Sequence, residues 1–435
     1  MGNTLKKTFA SLSTGERRTF YLHLAYSLIE GIVLGVLALN EFVFIKSLHG
    51  SNYQLGFLFQ FSMVVFVFLV FINEFIKRAK NKNRLLVWTG ILTRLPFLLV
   101  FFFPQNQGDV LATPVYHYIF LGIFFVYYFG NTVIYPLTNL FLKNQYEHQN
   151  FGKLYGYASS ANKIVMLVAT FFYGMVLDIN DFAFTYVFPV IAVLGMGSVY
   201  LLSLIRYDNP VLKIGKQKFF RSVKKSVLTM TGILKNNKPY AHFEIGFMFY
   251  GFSFMITVTV ITIFFERQLH LNYSSVAFYK NAYNILAIVL LPFTGKLLGK
   301  IDPRKFAVIT FASLALYILF VMLTETFPAH IVIAGVDVYF TLILAYLFYG
   351  VFAATMALLW FIGSAYFCKR EDAGDYQSVH LSLTGARALF APLLGVLFYE
   401  MAGFRYTFLL AIVSLLAGIA IMFWSYRKDR KLNVK

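Results

Sequence analysis

Six ionisable side chains stand inside long apolar runs: Glu30, Glu41, Arg94, Lys163, Lys280 and Arg387. A charge at the centre of a bilayer costs roughly 2.5–3.5 kcal/mol on insertion scales, so such residues normally face a wet cavity or a partner. Arginine offers a planar fork that matches carboxylate or phosphate geometry. Arg387 is therefore the first candidate to contact an organic anion, with Lys163, Arg94 and Lys280 as further cations. The competing reading is that pairs such as Arg94–Glu30 and Lys163–Glu41 hold helices together. Glu30 and Glu41, eleven residues apart, return to within roughly 20° of one face of a continuous helix. Burial raises a carboxyl pKa and an approaching arginine lowers it, so Glu30 and Glu41 are the candidates for proton coupling.

Polar stripes accompany these charges. His380, Thr384, Arg387 and Ala391 follow the i, i+4, i+7, i+11 spacing of one helix face. Tyr128, Asn131 and Tyr135 form a second stripe, and Tyr250, Ser253 and Thr257 a third. Asn131, Tyr250 and Trp360 add groups that hydrogen-bond or stack on a solute. Glu74 and Glu244 lie near helix ends and read as loop anchors, and His117 reads as interfacial.

These residues need membrane-crossing elements to position them. The chain of 435 residues is 59% hydrophobic, has a mean hydropathy of +0.68, and carries charge on only 13% of its residues, where a soluble domain has about a quarter. Apolar runs give twelve candidate spans, near 20–45, 53–75, 85–103, 115–141, 155–178, 183–205, 241–265, 274–298, 305–326, 339–367, 377–400 and 405–426. The net charge of +19 raises the question of nucleic acid, but the distribution of the bases answers it. Loops on the side of the amino terminus hold 31 Lys and Arg, and those on the other side hold only Lys46, Arg267 and Arg405. This asymmetry predicts an inner-membrane protein with both termini in the cytoplasm and no nucleic-acid partner.

Cys368 is the only cysteine, which excludes an intramolecular disulfide and a cysteine metal cluster. It reads as a helix-end residue. The basic amino terminus, Lys6, Lys7, Arg17 and Arg18, leads into an apolar run too long for a signal peptide. The longest polar break divides the chain into an amino-terminal bundle (1–205), a basic cytoplasmic linker (206–240), partly an amphipathic helix on the inner leaflet, and a carboxy-terminal bundle (241–435).

The halves repeat. At a shift of 220 residues Gly31 meets Gly251, Asn52-Tyr53 meets Asn272-Tyr273, Arg84 meets Arg304 and Gly130 meets Gly350; at 221, Tyr155 meets Tyr376 and Gly174 meets Gly395. Six spans map onto six in the same orientation, so the repeat is parallel. Between spans 8 and 9, GKLLGKIDPRK (295–305) is similar to a loop signature of a glycine, an acid and a basic pair, with Gly299 where the acid stands. GKLYGYASSANK (152–163) and GARALFAPLLG (385–395) are small-residue stretches suited to close helix packing. Together these features resemble the major facilitator superfamily over nearly the whole chain. The resemblance implies an all-α polytopic membrane protein, twelve transmembrane helices as two parallel six-helix bundles, rocking about a midplane site lined by spans 1, 4, 5, 7, 8, 10 and 11.

The function so implied is secondary active transport of a small organic solute, anionic or amphipathic, by alternating access, with protons as a candidate coupling ion. The chain is expected to work as a monomer in the bilayer, without a cofactor or metal. Drug or metabolite efflux by proton antiport is the runner-up, although the glycine-and-proline set of many drug antiporters is absent from span 5. A sensor with a transporter fold is a third reading. An ATP motor is excluded by the absence of a GxxxxGKS/T loop. A membrane-embedded enzyme would need a His and Asp/Glu cluster at a membrane face, and the loops hold none.

Overall fold

The computed structural model describes residues 12–207, 219–369 and 372–433. Ten stretches among them are long and apolar enough to cross a bilayer. Two features raise the number of crossings to twelve. Span 2 is divided into helices Asn52–Val64 and Leu69–Arg78 around a 3-10 turn, Val65–Phe68. The final stretch, Ala391–Asn433, breaks at Gly403, whose φ of 80° and ψ of 178° suit only glycine. Spans 11 and 12 meet there.

Local chemistry sets where helices start. Ser13 caps Thr14–Leu37 and Ser51 caps Asn52–Val64, each in a capping box with Glu16 or Gln54 three residues on. Asn81, Asn237, Asn272 and Asp302 cap the helices of spans 3, 7, 8 and 9 with their side chains. Pro96 sits at the start of a 3-10 segment, Leu95–Phe102, that takes over from helix Lys82–Arg94 in span 3.

Contacts divide the chain into two compact units. The first comprises Met1–Val43, Ser47–His49 and Phe68–Lys218; the second comprises Phe44–Lys46, Gly50–Val67 and Phe219–Lys435. Within the first, span 1 packs on spans 5 and 6, and span 3 on spans 4 and 6. Within the second, span 7 packs on spans 11 and 12, span 10 on spans 8 and 9, and span 9 on span 12. The 1–5 and 1–6 pairings thus recur as 7–11 and 7–12, as a parallel duplication requires. Helix Asn52–Val64 packs inside the second unit against span 11, where Gln60 Nε2 donates to Leu389 O at 2.6 Å and Asn52 Nδ2 to Glu400 Oε1 at 3.1 Å.

A short antiparallel hairpin, His330–Ile333 with Val336–Tyr339, joins spans 9 and 10 and is an addition to the helical pattern. Asn272 Nδ2 donates to Gly335 O, Ser275 Oγ accepts from Asp337 N, and Tyr279 Oη donates to Asp337 O and accepts from Tyr339 N. In the 206–240 linker, Phe219–Asn236 is helical with Val227 and Leu228 exposed, while 208–218 lies outside the described residues, as do Lys6, Lys7 and Arg370.

Candidate functional site

Two buried arginines, one in each unit, anchor the polar interior. In the first unit Arg94, 1% exposed, ends its helix facing span 1, where its Nη2 lies 3.3 Å from Glu30 Oε1. Glu30 Oε2 accepts from Ser198 Oγ at 3.0 Å, and the Arg94 guanidinium lies 5.4 Å from the centre of the Tyr127 ring. The Arg94 stem lies against Gly195 of span 6, so closely that a Cβ there would stand 2.9 Å from Cδ. Spans 1, 3, 4 and 6 therefore meet at one ion pair.

Arg387, 2% exposed, has a different environment. Its Nη1 donates to Phe247 O at 2.7 Å and its Nη2 to Thr384 Oγ1 at 3.2 Å, and the Tyr250 ring centre lies 5.8 Å away. Its Nε has no hydrogen-bond partner, and among the described residues it makes no ion pair. The guanidinium lies on Gly251, where a Cβ would stand 2.0 Å from Cζ. Among the described residues only dipoles and a ring face touch this charge, with the Glu244 carboxylate acting on it from further along span 7, an expensive arrangement away from water.

Arg387 lies among the residues around an apolar groove of about 410 Å³, its guanidinium buried behind the apolar lining. Phe249, Phe252, Phe390, Leu410 and Val413 line most of the rest, and its hydroxyl, from Ser414, is turned to Phe249 O at 2.9 Å. Such a volume is in the range of small-molecule sites.

A second buried ionisable pair lies two helical turns along the same face. His380 Nδ1 sits 3.1 Å from both carboxylate oxygens of Glu244, with His380 and Glu244 only 1% and 3% exposed in their side chains. Glu244 was expected to anchor a loop from its nearness to a helix end. It instead turns inward six residues past Lys238, because Glu244, Phe247 and Gly251 share the helix face packed against span 11. That i, i+3, i+7 pattern was the signal in the sequence. Glu74 does lie at a helix end, bonded to Arg78 at 2.7 Å.

The other candidates disperse. His380, Thr384 and Arg387 are buried on one face of helix Ala373–Ala388, while Ala391, also buried, opens the next helix after the turn at Leu389–Phe390. Span 1 is interrupted at Ala38–Leu39 between helices Thr14–Leu37 and Asn40–Lys46; the 100° step does not run from Glu30, which is buried, to Glu41, which is half-buried. Lys163 is exposed and Lys280 half-buried. Asn131 is buried with Oδ1 lacking a partner. Tyr250 stacks on Phe311 at 5.1 Å, and Trp360 packs edge-on to His380 at 4.7 Å. His117 is buried, its Nε2 2.7 Å from Leu48 O.

The Major Facilitator Superfamily profile matches residues 20–340. The chain belongs to that superfamily. A search of curated proteins returned no significant match. Among solved structures, the nucleoside transporter NupG superposes with a TM-score of 0.64 at 14% identity, covering 95% of this chain and 99% of that one. The peptide transporter POT in complex with sulfate gives 0.65 at 14%, covering 94% and 95%. The xylose transporter XylE from E. coli gives 0.64 at 12%, covering 94% and 98%. At these identities the likeness is one of fold. The chain is a multi-pass membrane protein of the superfamily's transporter architecture.

Proposed function

We propose that this superfamily member carries out secondary active transport of a small amphipathic organic anion, contacted by Arg387 in the second unit. The observation that supports this most directly is the buried guanidinium with an unpaired Nε and, among the described residues, no carboxylate bonded to it, beside an apolar groove. An anion with an apolar body fits both features: its charge supplies the missing counterion, and each buried CH₂ contributes about 0.8 kcal/mol. Arg94, whose Nε also lacks a partner, is ion-paired with Glu30 and serves as a helix clamp in this reading; exposed Lys163 remains an auxiliary cation. The expected setting is the inner membrane, with both termini cytoplasmic and one chain per transport path.

Thermal unfolding of the purified protein against carboxylates, phosphate esters, sugars and nucleosides tests the assignment. A ligand at a hundred times its Kd stabilises the folded state by about 2.7 kcal/mol. Stabilisation should be confined to anions and be lost in Arg387→Gln. A neutral sugar or nucleoside that stabilises wild type and Arg387→Gln equally would refute it.

A further inference from the structure

We infer that the groove at Arg387 opens sideways into the bilayer and takes a single-chain anionic amphiphile, a fatty-acid-like carboxylate, directly from the acyl-chain phase. This deepens the function proposed above by naming its substrate class, and it rests on that reading for the anion at Arg387.

Span 12 supplies the first observation. Tyr406, Leu409, Val413, Leu416, Ala420 and Phe423 are all exposed, at the i, i+3, i+7, i+10, i+14, i+17 spacing of one helix face. At 1.5 Å per residue this face runs for about 26 Å, close to the roughly 30 Å of a hydrocarbon core. Between Tyr406 at one end and Phe423 at the other it carries no polar side chain. An exposed apolar face of that length is solvated by acyl chains, because a face turned to a water-filled path would carry polar groups. Span 11 has a matching face, with Phe390, Leu397 and Met401 exposed at i, i+7 and i+11.

The groove joins these two faces. Phe390 from one and Val413 from the other both line it. Leu410 and Ala417, a turn to either side of Val413, extend the wall along span 12, and Phe249 and Phe252 of span 7 add aromatic surface. The Ser414 hydroxyl is spent on Phe249 O. A ligand coming in from the lipid therefore meets apolar side chains until it reaches Arg387, the one charged residue of the lining.

The energetics separate the chain from the head. A chain that leaves the bilayer for this groove exchanges one apolar surrounding for another, so its burial selects nothing. Selection must come from the head. The Arg387 guanidinium is buried with Nε unpartnered, and a carboxylate brought to it gains charge-assisted hydrogen bonds where little water screens them. A neutral head of similar shape gains neither the charge nor the fork. The volume of about 410 Å³ lies toward the lower end of small-molecule sites, which favours one chain over the two of a phospholipid.

A brominated stearate and its methyl ester, which differ only in the charge of the head, test the inference, because bromine quenches an indole that it touches. The full chain with Trp88→Phe, Trp360→Phe and Trp424→Phe loses all three tryptophans. Adding Leu416→Trp places one indole on the lipid-facing side of span 12, next to Ala417. In nanodiscs, with the acid ionised, the carboxylate should reach half-maximal quenching at a mole fraction about tenfold or more below that of the ester. The two curves should coincide in Arg387→Gln. They should also coincide in Ala417→Phe, which fills the groove and keeps the arginine, so the test survives if Arg387→Gln fails to fold. A chain that keeps only Trp88, exposed in the first unit, is the control and should be quenched equally by both probes.

Equal quenching of the Leu416→Trp chain by acid and ester overturns the inference, since acyl chains then pass without selection. Absence of quenching by either also overturns it, since a second copy or another protein surface then covers the face. A preference for the acid that persists in Arg387→Gln removes the arginine from the site. Anions that stabilise the protein through Arg387 in the thermal-unfolding panel, without any preference in quenching, leave the transport reading standing and remove the lateral route; failure of both removes the transport reading as well.

Discussion

At the scale of single residues, the two arginines differ in what surrounds them. Removing Arg94 leaves Glu30 buried with Ser198 as its one remaining bonded partner among the described residues, and stranding one member of a buried pair costs about 3–5 kcal/mol. Arg94→Ala should therefore unfold at much lower denaturant, while Glu30→Gln/Arg94→Gln should recover a large part of the loss, as a double-mutant cycle in unfolding free energy would read. Single-mutant losses below about 1 kcal/mol would contradict the clamp. The ionisable residues themselves were legible in the sequence, since a charge within an apolar run stands out. Which of them pair was not. Arg94 and Glu30 are 64 positions apart, and their meeting depends on how spans 1, 3 and 6 pack. Glu244 was misplaced for the opposite reason, because nearness to a helix end says nothing about the direction a side chain takes.

At the scale of helices, small residues set how closely spans approach. A Cβ at Gly31 would stand 2.7 Å from Asn162 O of span 5, and one at Gly251 would strike the Arg387 guanidinium of span 11. Gly251→Ala is expected to cost about 1–3 kcal/mol by overpacking and to abolish stabilisation by anions, because Arg387 must move. Gly122→Ala, where nothing lies within 4 Å, is the control and should be neutral or stabilising by up to about 1 kcal/mol on helix propensity. Equal unfolding midpoints for the two variants would remove the argument. The repeat found by sliding one half over the other anticipates Gly31 and Gly251 at equivalent 1–5 and 7–11 contacts. It is less informative for Gly130 and Gly350, which meet Thr93 of span 3 and Leu286 of span 8 respectively. The break at Ala38–Leu39 and the 3-10 turns were not visible, since apolar runs continue through them and hydropathy does not register a change of helical pitch.

At the scale of the whole molecule, the crossings and their parallel duplication followed from apolar length and the shift of 220 residues, because lipid leaves helices few alternatives. The asymmetry of Lys and Arg supports the proposed orientation, in which Cys368 would lie on the cytoplasmic side. As the only cysteine, it reports that orientation without engineering. Burial, and then the nearby Asp372, push its thiol up, so the reactive thiolate is scarce at neutral pH and labelling should accelerate as pH rises toward about 9. In right-side-out vesicles a permeant maleimide should label it and an impermeant one should not; efficient labelling by the impermeant reagent would invert the topology. The hairpin between spans 9 and 10 also bears on how such a body can move. With Asn272, Ser275 and Tyr279 riveting it to the first turns of span 8, these three spans share a common collar at that end. Torque applied to any one of them is transmitted to the other two, so bending within this trio must occur away from the collar.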